Sequence, residues 1–220
     1  MSLYLKNCPN CGTENELFYF SCRSCGNVLH NKVANIDLWK TIGNLADKPT
    51  DSFIEIIYSE RKNFAFFFLL LGIVKLYFLK ELTQNIILAN HNVFSFRNVL
   101  IILIAHLFII ITIEIKVRVE KKKVRLKDIF ALFAYSYIPI IIGAFILFPI
   151  EFGIFGKSWI SFQPSPFFLK ENAAYLLVGL EYIFLIISGL FIYLNINLFF
   201  DNRILCIILT TVFLLFQLFF

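Results

Sequence analysis

The stretch IFALFAYSYIPIIIGAFILF, residues 129–148, has no charged residue in twenty positions. A helix of about 20 residues is about 30 Å long, which matches the hydrocarbon core of a bilayer. The stretch therefore predicts a membrane-spanning helix with Pro139 inside it. The composition of the whole chain agrees, because 59% of its residues are hydrophobic and 16% are charged, whereas soluble domains have about 45–50% and about 25%.

Four more apolar runs predict four more spans. They are residues 64–78, 99–115, 173–194 and 204–220. The expected fold class is therefore an all-α polytopic membrane protein with five transmembrane helices, whose membrane domain is residues 64–220. A small metal-binding head is expected before it, in residues 1–30.

The connections on either side of the fourth span are expected outside the hydrocarbon core. Residues 151–172 precede this span and combine several phenylalanines with Trp159, which predicts an aromatic belt at the outer interface. Asn195 follows the span and is expected in a solvated turn.

Lysine and arginine residues predict the orientation. Seven of them precede the first span, seven lie in residues 116–127, and Arg203 lies between the fourth and fifth spans, so five spans place fifteen of the twenty on one side. The positive-inside rule then predicts a multi-pass membrane protein with a cytoplasmic N-terminus and a C-terminus on the far side. The net charge of +5 sets this orientation, and we expect no nucleic-acid partner.

Residues 31–63 predict two amphipathic helices between the head and the first span, separated by Pro49. Apolar residues recur at three- to four-residue spacing in the first of them, and Trp39 is a candidate interfacial anchor at the membrane surface. Packing of both helices on the protein's own cytosolic face is the alternative, because amphipathicity does not identify what covers the apolar side.

The head contains four of the five cysteines, in CPNCGTENELFYFSCRSCG, residues 8–26. Cys8, Cys11, Cys22 and Cys25 follow the pattern C-x2-C-x10-C-x2-C, and a glycine follows each pair. Two such knuckles predict a zinc ribbon, in which four thiolates hold a structural Zn(2+) ion. A closed site of this kind has no open position for a substrate, so catalysis is not expected there.

Three other interpretations of the cysteines are weaker. The predicted cytoplasmic location disfavours two disulfides. A redox C-x-x-C motif normally stands alone near a βαβ pattern, which the sequence does not have. An iron–sulfur centre also uses four thiolates, but the paired knuckles favour zinc.

Lys75 and Glu181 are ionisable residues inside the first and fourth predicted spans. Because these spans run in opposite directions, counting from their ends puts both residues at a similar depth in the outer half of the bilayer. They are a predicted intramembrane charge pair, interpreted either as part of a proton or ion relay or as a structural pair, with snorkelling of Lys75 as a further alternative. His106, in the second span, is expected to bond a neighbouring backbone or hydroxyl group.

The stretch VRLKDIFALFAYSYIPIIIGAFI, residues 124–146, resembles the middle of the Yip domain family of Ypt/Rab-interacting membrane proteins. Tyr135, Ser136 and Pro139 match the Tyr-Ser-x-x-Pro signature that this family has in its third span. Residues 48–68 are similar to the entry of compact microbial members, and the resemblance extends over residues 49–220. It implies a cytosolic N-terminal part followed by five spans.

The resemblance implies little about activity. Eukaryotic members of the family are linked to Rab GTPases and vesicle traffic. The short cysteine head is similar to the heads of microbial members, for which the family implies an integral membrane protein of unknown activity.

The expected function is an integral membrane scaffold or adaptor in membrane organisation or trafficking. Residues 1–60 would dock a cytosolic protein, and the basic loop, residues 116–127, would contact anionic lipid headgroups or extend the docking surface. The alternative is a small transporter or a homo-oligomeric channel that uses Lys75 and Glu181. No catalytic constellation is visible in the sequence, so we do not expect an enzyme.

Overall fold

Long apolar helices make up most of the protein. The computed structural model describes residues 5–16, 19–30, 33–88, 96–119, 124–200 and 202–219. In chain order, the elements in these ranges are β1 (Leu5–Asn7), β2 (Glu14–Glu16), β3 (Val33–Asn35), α1 (Leu38–Asp47), α2 (Pro49–Tyr58), β4 (Ser59–Arg61), α3 (Ala65–Leu88), α4 (Phe96–Val119), α5 (Leu126–Ser136), α6 (Ile138–Phe155), α7 (Ser158–Ser161), α8 (Pro166–Leu169), α9 (Glu171–Phe199) and α10 (Arg203–Phe219).

Three helical segments within these ranges are long and apolar enough to cross a membrane. They are Asn98–Val119, Leu126–Phe155 and Glu171–Phe199. They contain the predicted second, third and fourth spans and extend beyond them at both ends. The prediction of a helical membrane protein is confirmed at this level.

Two further helices coincide with the predicted first and fifth spans. The first, α3, has 24 residues, but Lys75, Lys80 and Glu81 interrupt its apolar sequence. The apolar part of α10 that the structure describes, Arg203–Leu215, is shorter than the three spanning segments. Residue 220, the predicted end of the fifth span, lies outside the described residues. The count of five spans stays a prediction.

A one-residue turn at Tyr137 divides the predicted third span into α5 and α6. Pro139 lies in the first turn of α6, where its missing N–H is tolerated. The Ser136 hydroxyl donates to the Leu132 carbonyl at 2.9 Å, and the Asn195 amide donates to the same carbonyl at 3.1 Å. Two side chains therefore add donors to the last turn of α5, just before the break.

Both sides of the break are tied to other parts of the protein. On the α6 side, the Ile140 N–H donates to the Ser188 hydroxyl of α9 at 3.1 Å. On the α5 side, the Tyr135 hydroxyl donates to the Asn63 carbonyl at 2.6 Å, just before α3. The two halves of the segment are thus each bonded to another part of the chain, α6 to α9 and α5 to the connection before α3.

The segment between the head and α3 forms a strand–helix–helix–strand unit. Its strands β3 and β4 pair in parallel, and α1 and α2 connect them. The apolar face of α2 packs on α5 and α9, where Phe53 is fully buried and its ring meets that of Phe191 edge-on at 5.7 Å. The protein's own helices therefore cover α2, whereas Trp39 on α1 remains 80% exposed.

A buried ion cluster attaches this unit to the start of α5. Asp128 lies 2.9 Å from the Lys62 ammonium and 3.0 Å from the Arg125 guanidinium. Lys62 also donates to the Ile57 carbonyl and the Ser59 hydroxyl. Burial lowers the pKa of Lys62, although the neighbouring Asp128 opposes this shift.

Close contact between α6 and α9 depends on a glycine. A Cβ atom placed on Gly143 would lie 2.5 Å from the Phe184 ring, whereas one on Gly153 of the same helix meets nothing within 4 Å. We expect Gly143→Ala to destabilise the protein by about 1–3 kcal/mol, because an overpacked contact must shift. Thermal unfolding of the purified protein in detergent measures this, with Gly153→Ala as the control. Equal melting temperatures for the two variants would show that the contact has room to relax.

Candidate metal centre and buried charge cluster

The head contains two knuckles with the same backbone geometry. In the first, the Gly12 N–H donates to the Cys8 carbonyl at 2.9 Å, and in the second, the Gly26 N–H donates to the Cys22 carbonyl at 3.0 Å. Both glycines have φ of +72°, a conformation that residues with a Cβ atom rarely adopt. The glycine after each C-x2-C pair is thus explained by the turn that brings two sulfurs to one point.

The four cysteine sulfurs form one cluster. The Sγ atoms of Cys8 and Cys25 are 3.5 Å apart, as are those of Cys11 and Cys22, and all four lie within 4.8 Å of one another. A zinc ion with four sulfurs at about 2.3 Å in a tetrahedron has sulfurs separated by about 3.8 Å. The cluster therefore has the size and the donor set for a single metal ion.

Asn15 connects the two knuckles from β2. Its side chain is 2% exposed, and it donates to the Thr13 carbonyl at 2.8 Å and to the Cys22 sulfur at 3.5 Å. Its Oδ1 atom accepts from the Arg23 N–H at 2.9 Å. This residue fixes the second knuckle against the first, although the sequence pattern did not draw attention to it.

Backbone amides stabilise the thiolate form of Cys22. The pKa of its thiol is lowered to about 6, first because the backbone N–H of Cys25 donates to the sulfur, and further by the Ser24 N–H and the Asn15 amide. A metal-binding cysteine must give up its proton, so these donors favour Cys22 as a ligand. The pKa of Cys25 is instead raised to about 11, because the bond from the Asn27 N–H is outweighed by the neighbouring Cys11 thiol and burial.

The head contacts the end of α2. The His30 ring stacks on the Tyr58 ring, with centroids 4.4 Å apart, and the Phe20 ring is 6.1 Å from the same tyrosine. The apolar cluster of the head is small: Cys8, Cys22 and Leu29 are buried, and Tyr19 packs beside them. A core of this size buries little apolar surface for a segment of about 30 residues.

Lys75 and Glu181 form an ion pair between α3 and α9, in which the Lys75 ammonium donates to the Glu181 Oε1 atom. The side chains are 12% and 1% exposed. Lys75 also lines a cleft of about 320 Å³ between α3 and α6. The structure thus brings the two predicted residues together, with the carboxylate inside and the lysine stem at the edge of the cleft.

Glu151 on α6 is a third carboxyl in this region, and the sequence alone did not indicate a role for it. We expected this residue in a loop, but α6 continues to Phe155 and buries Glu151 completely. Its position two residues after Pro149, between apolar neighbours, is the feature of the sequence that could have indicated a buried carboxyl. Within the predicted aromatic belt, Trp159 is buried and stacks on Phe155 at 5.2 Å, whereas Phe152 and Phe168 are exposed. The belt itself stays a prediction.

Two other polar residues of the spans, His106 and Asn195, bond to neighbouring groups. The Nδ1 atom of His106 lies 2.7 Å from the Ile102 carbonyl. Since a carbonyl only accepts, Nδ1 carries the proton, and in the neutral ring Nε2 accepts from the Tyr137 hydroxyl. Asn195 is not in a solvated turn as expected, because α9 extends past it and its side chain is fully buried at the break in the third span.

Comparison of the chain with protein-family models, with curated proteins and with solved structures found no match. The resemblance of residues 124–146 to the Yip domain stays a prediction from the sequence. The signature residues have structural roles, since Tyr135 and Ser136 each donate to a backbone carbonyl and Pro139 lies in the first turn of α6.

Proposed function

We propose that the protein is an integral membrane scaffold or adaptor whose head docks a cytosolic protein. The carrying observation is the cluster of four cysteine sulfurs in a head of about 30 residues. A metal ion would fix the two knuckles, and their tips are exposed at Pro9, Asn10, Arg23 and Ser24. Rigid, exposed loops suit recognition, because little conformational entropy is lost when they bind.

Zinc is the proposed ion. Four thiolates in a closed tetrahedron are typical of structural zinc sites. In an iron–sulfur cluster, the four thiolates are distributed over two or four iron atoms, so they spread more widely than four ligands of one ion, whereas here all four sulfurs lie within 4.8 Å of one another. The separations of 3.5 Å between Cys8 and Cys25 and between Cys11 and Cys22 support a single ion, and a full set of protein ligands supports a structural role.

We propose five spans, with α3 and α10 beside the three spanning segments. The 24 residues of α3 are long enough to cross, and the 17 residues of α10 reach about 26 Å at about 1.5 Å each. Pairing with Glu181 makes the Lys75 charge tolerable in lipid. The distribution of lysine and arginine supports a cytoplasmic head.

Anionic headgroups are proposed partners of the basic loop, residues 116–127. Arg118 is exposed beside Glu114, and the exposed Lys127 ammonium lies 3.4 Å from the Glu60 carbonyl. Arg125 contributes less, because Asp128 binds its guanidinium. Residues 120–123, with three of the lysines, lie outside the described residues.

Membership of the Yip domain family is proposed on the sequence signature alone. The bonds that Tyr135 and Ser136 make around the helix break give these residues a structural reason to occur together with Pro139. They support a role of the signature in shaping the third span. A role in membrane organisation or trafficking is proposed from the same sequence signature.

The docking proposal is tested by cross-linking in native membranes. We compare the intact chain with the Cys22→Ser, Cys25→Ser double variant and with Cys206→Ser, which changes a cysteine outside the head. The proposal predicts a protein that is cross-linked to the intact chain and to Cys206→Ser and lost in the double variant. The cross-linked protein should then bind the purified full chain directly. Identical cross-linked proteins for all three chains would contradict docking by the head.

Transport is the second candidate, and the buried Lys75–Glu181 pair is the observation that favours it. Charges inside a membrane often mark ion or proton paths. A flux in proteoliposomes that Glu181→Gln abolishes, while the protein stays folded, would favour transport over docking.

A further inference from the structure

Three buried carboxyl oxygens lie beside the Lys75–Glu181 pair without a donor. Glu151 is 0% exposed, and within the described ranges neither of its carboxyl oxygens has a hydrogen-bond partner. The same holds there for the Oε2 atom of Glu181, whose Oε1 atom accepts from Lys75. Buried acceptors of this kind normally have a donor.

Groups from three helices face Glu151. The Glu181 carboxyl of α9 lies against it, and the charge of Lys75 on α3 acts on it. The indole of Trp159 on α7 also lies near Glu151, although it does not meet the geometry of a hydrogen bond to it. Glu181 and Lys75 are thus the titratable groups that decide the charge of this site.

The net charge of Lys75, Glu151 and Glu181, here called the cluster, determines whether it binds a proton. One ammonium and two ionised carboxylates give a net charge of −1, and an unbalanced charge in this apolar surrounding is strongly unfavourable. Two carboxyls that share one site disfavour each other's charge, and burial away from water disfavours the second charge further. One added proton makes the cluster neutral.

We propose that Glu151 and Glu181 form a proton-binding site that keeps one proton at neutral pH. The Glu151 hydroxyl donates to the Oε2 atom of Glu181, and the Lys75 ammonium donates to its Oε1 atom. In this state, the Trp159 indole N–H donates to the other carboxyl oxygen of Glu151. A single proton therefore balances the charge and supplies the missing donor. This site is independent of the proposed docking function.

An apolar cleft lined by Lys75 lies next to the two carboxyls, which are buried behind it and do not line it themselves. It measures about 320 Å³, and Phe148 and Pro149 line it together with Lys75. Pro149 is two residues from Glu151. Dicyclohexylcarbodiimide is apolar and reacts with carboxyl groups that carry a proton, so it reports on this protonation state.

The labelling reaction requires the proposed proton. The carboxyl oxygen bonds to the central carbon of the carbodiimide, and the carboxyl proton moves to one nitrogen. The O-acylisourea then rearranges to a stable N-acylurea, with no leaving group, so the adduct contains one whole reagent molecule. Peptide mass spectrometry locates it.

We expect one adduct per chain, on Glu151 or Glu181, when the full chain in detergent is labelled at neutral pH. An ordinary glutamate with a pKa of about 4.3 is protonated in about one of 500 molecules at pH 7. The paired carboxyls are therefore expected to react on the order of 100-fold faster than exposed glutamates such as Glu171.

Three variants test the arrangement. In Glu151→Gln, the charges of the Lys75 ammonium and the Glu181 carboxylate cancel without an added proton. Labelling at the cluster therefore falls to the rate of exposed glutamates. Glu171→Gln is the control and leaves it unchanged. Lys75→Met removes the cation, so both carboxyls become neutral and a second adduct forms. A misfolded chain would instead expose both carboxyls to water and slow their labelling.

Three results would overturn the proposal. The first is wild-type labelling of Glu151 and Glu181 no faster than that of Glu171. The second is unchanged labelling in Glu151→Gln. The third is protection of the wild type by sodium chloride relative to choline chloride at equal ionic strength, which would assign the site to a metal cation instead of a proton.

Discussion

Replacing Cys22 with serine is expected to unfold the head and to leave the membrane helices folded. The change removes one of four thiolates, and structural zinc sites contribute about 10–16 kcal/mol to the folding of small domains. The apolar cluster of the head is too small to replace that contribution, since Cys22 is itself one of its three buried residues.

Limited proteolysis of the purified full chain measures this effect. We expect rapid cleavage within residues 8–30 of Cys22→Ser, with the fragment that contains the long helices intact. The Cys206→Ser variant is the control, because Cys206 is buried in α10, away from the head. A zinc chelator should produce the same cleavage in the wild type. Equal resistance of the head in Cys22→Ser and in the wild type would contradict a metal-dependent fold.

Asp128→Asn is expected to release the strand–helix–helix–strand unit from the membrane helices. The Asp128 carboxylate is 2% exposed and accepts from the Arg125 guanidinium at 3.0 Å through both of its oxygens. It also pairs with the buried Lys62 ammonium at 2.9 Å. Asparagine has nearly the same shape but leaves that ammonium without a counter-charge, which costs about 3–5 kcal/mol at a buried pair.

Hydrogen exchange of the full chain in detergent locates this effect. Protection of β4 and α2 should fall in Asp128→Asn, and the melting temperature should drop. The control is Glu55→Gln, which removes a pair on the surface of the same unit, where the Lys40 and Glu55 side chains are 63% and 35% exposed. Exposed pairs contribute about 0–1 kcal/mol. If Asp128→Asn changes exchange no more than this control does, the ion cluster does not hold the unit in place.

The sequence was most informative where structure depends on neighbours in the chain. The C-x2-C spacing, followed by Gly12 and Gly26, predicts two knuckles because each turn is completed within five residues. Lys75 and Glu181 are distant in sequence, but two antiparallel spans leave few ways to place them, so counting along the helices was enough to predict a pair.

Contacts set by tertiary packing could not be predicted in this way. Lys62 and Asp128 are 66 residues apart, and nothing in the spacing of either residue indicates the other. Asn195 and Glu151 were assigned to polar connections because each lies near the end of an apolar run. Both helices continue further than those runs, and the structure buries the two side chains against other helices.

The metal content of the full chain tests the central claim, that four cysteines fold the head around one zinc ion. The chain is purified in detergent without chelators, and its metals are measured by inductively coupled plasma mass spectrometry beside Cys22→Ser and Cys206→Ser. We predict one zinc ion per chain in the wild type and in Cys206→Ser, and a loss of zinc in Cys22→Ser. Iron with inorganic sulfide, or a metal-free wild-type chain with a folded head, would contradict it.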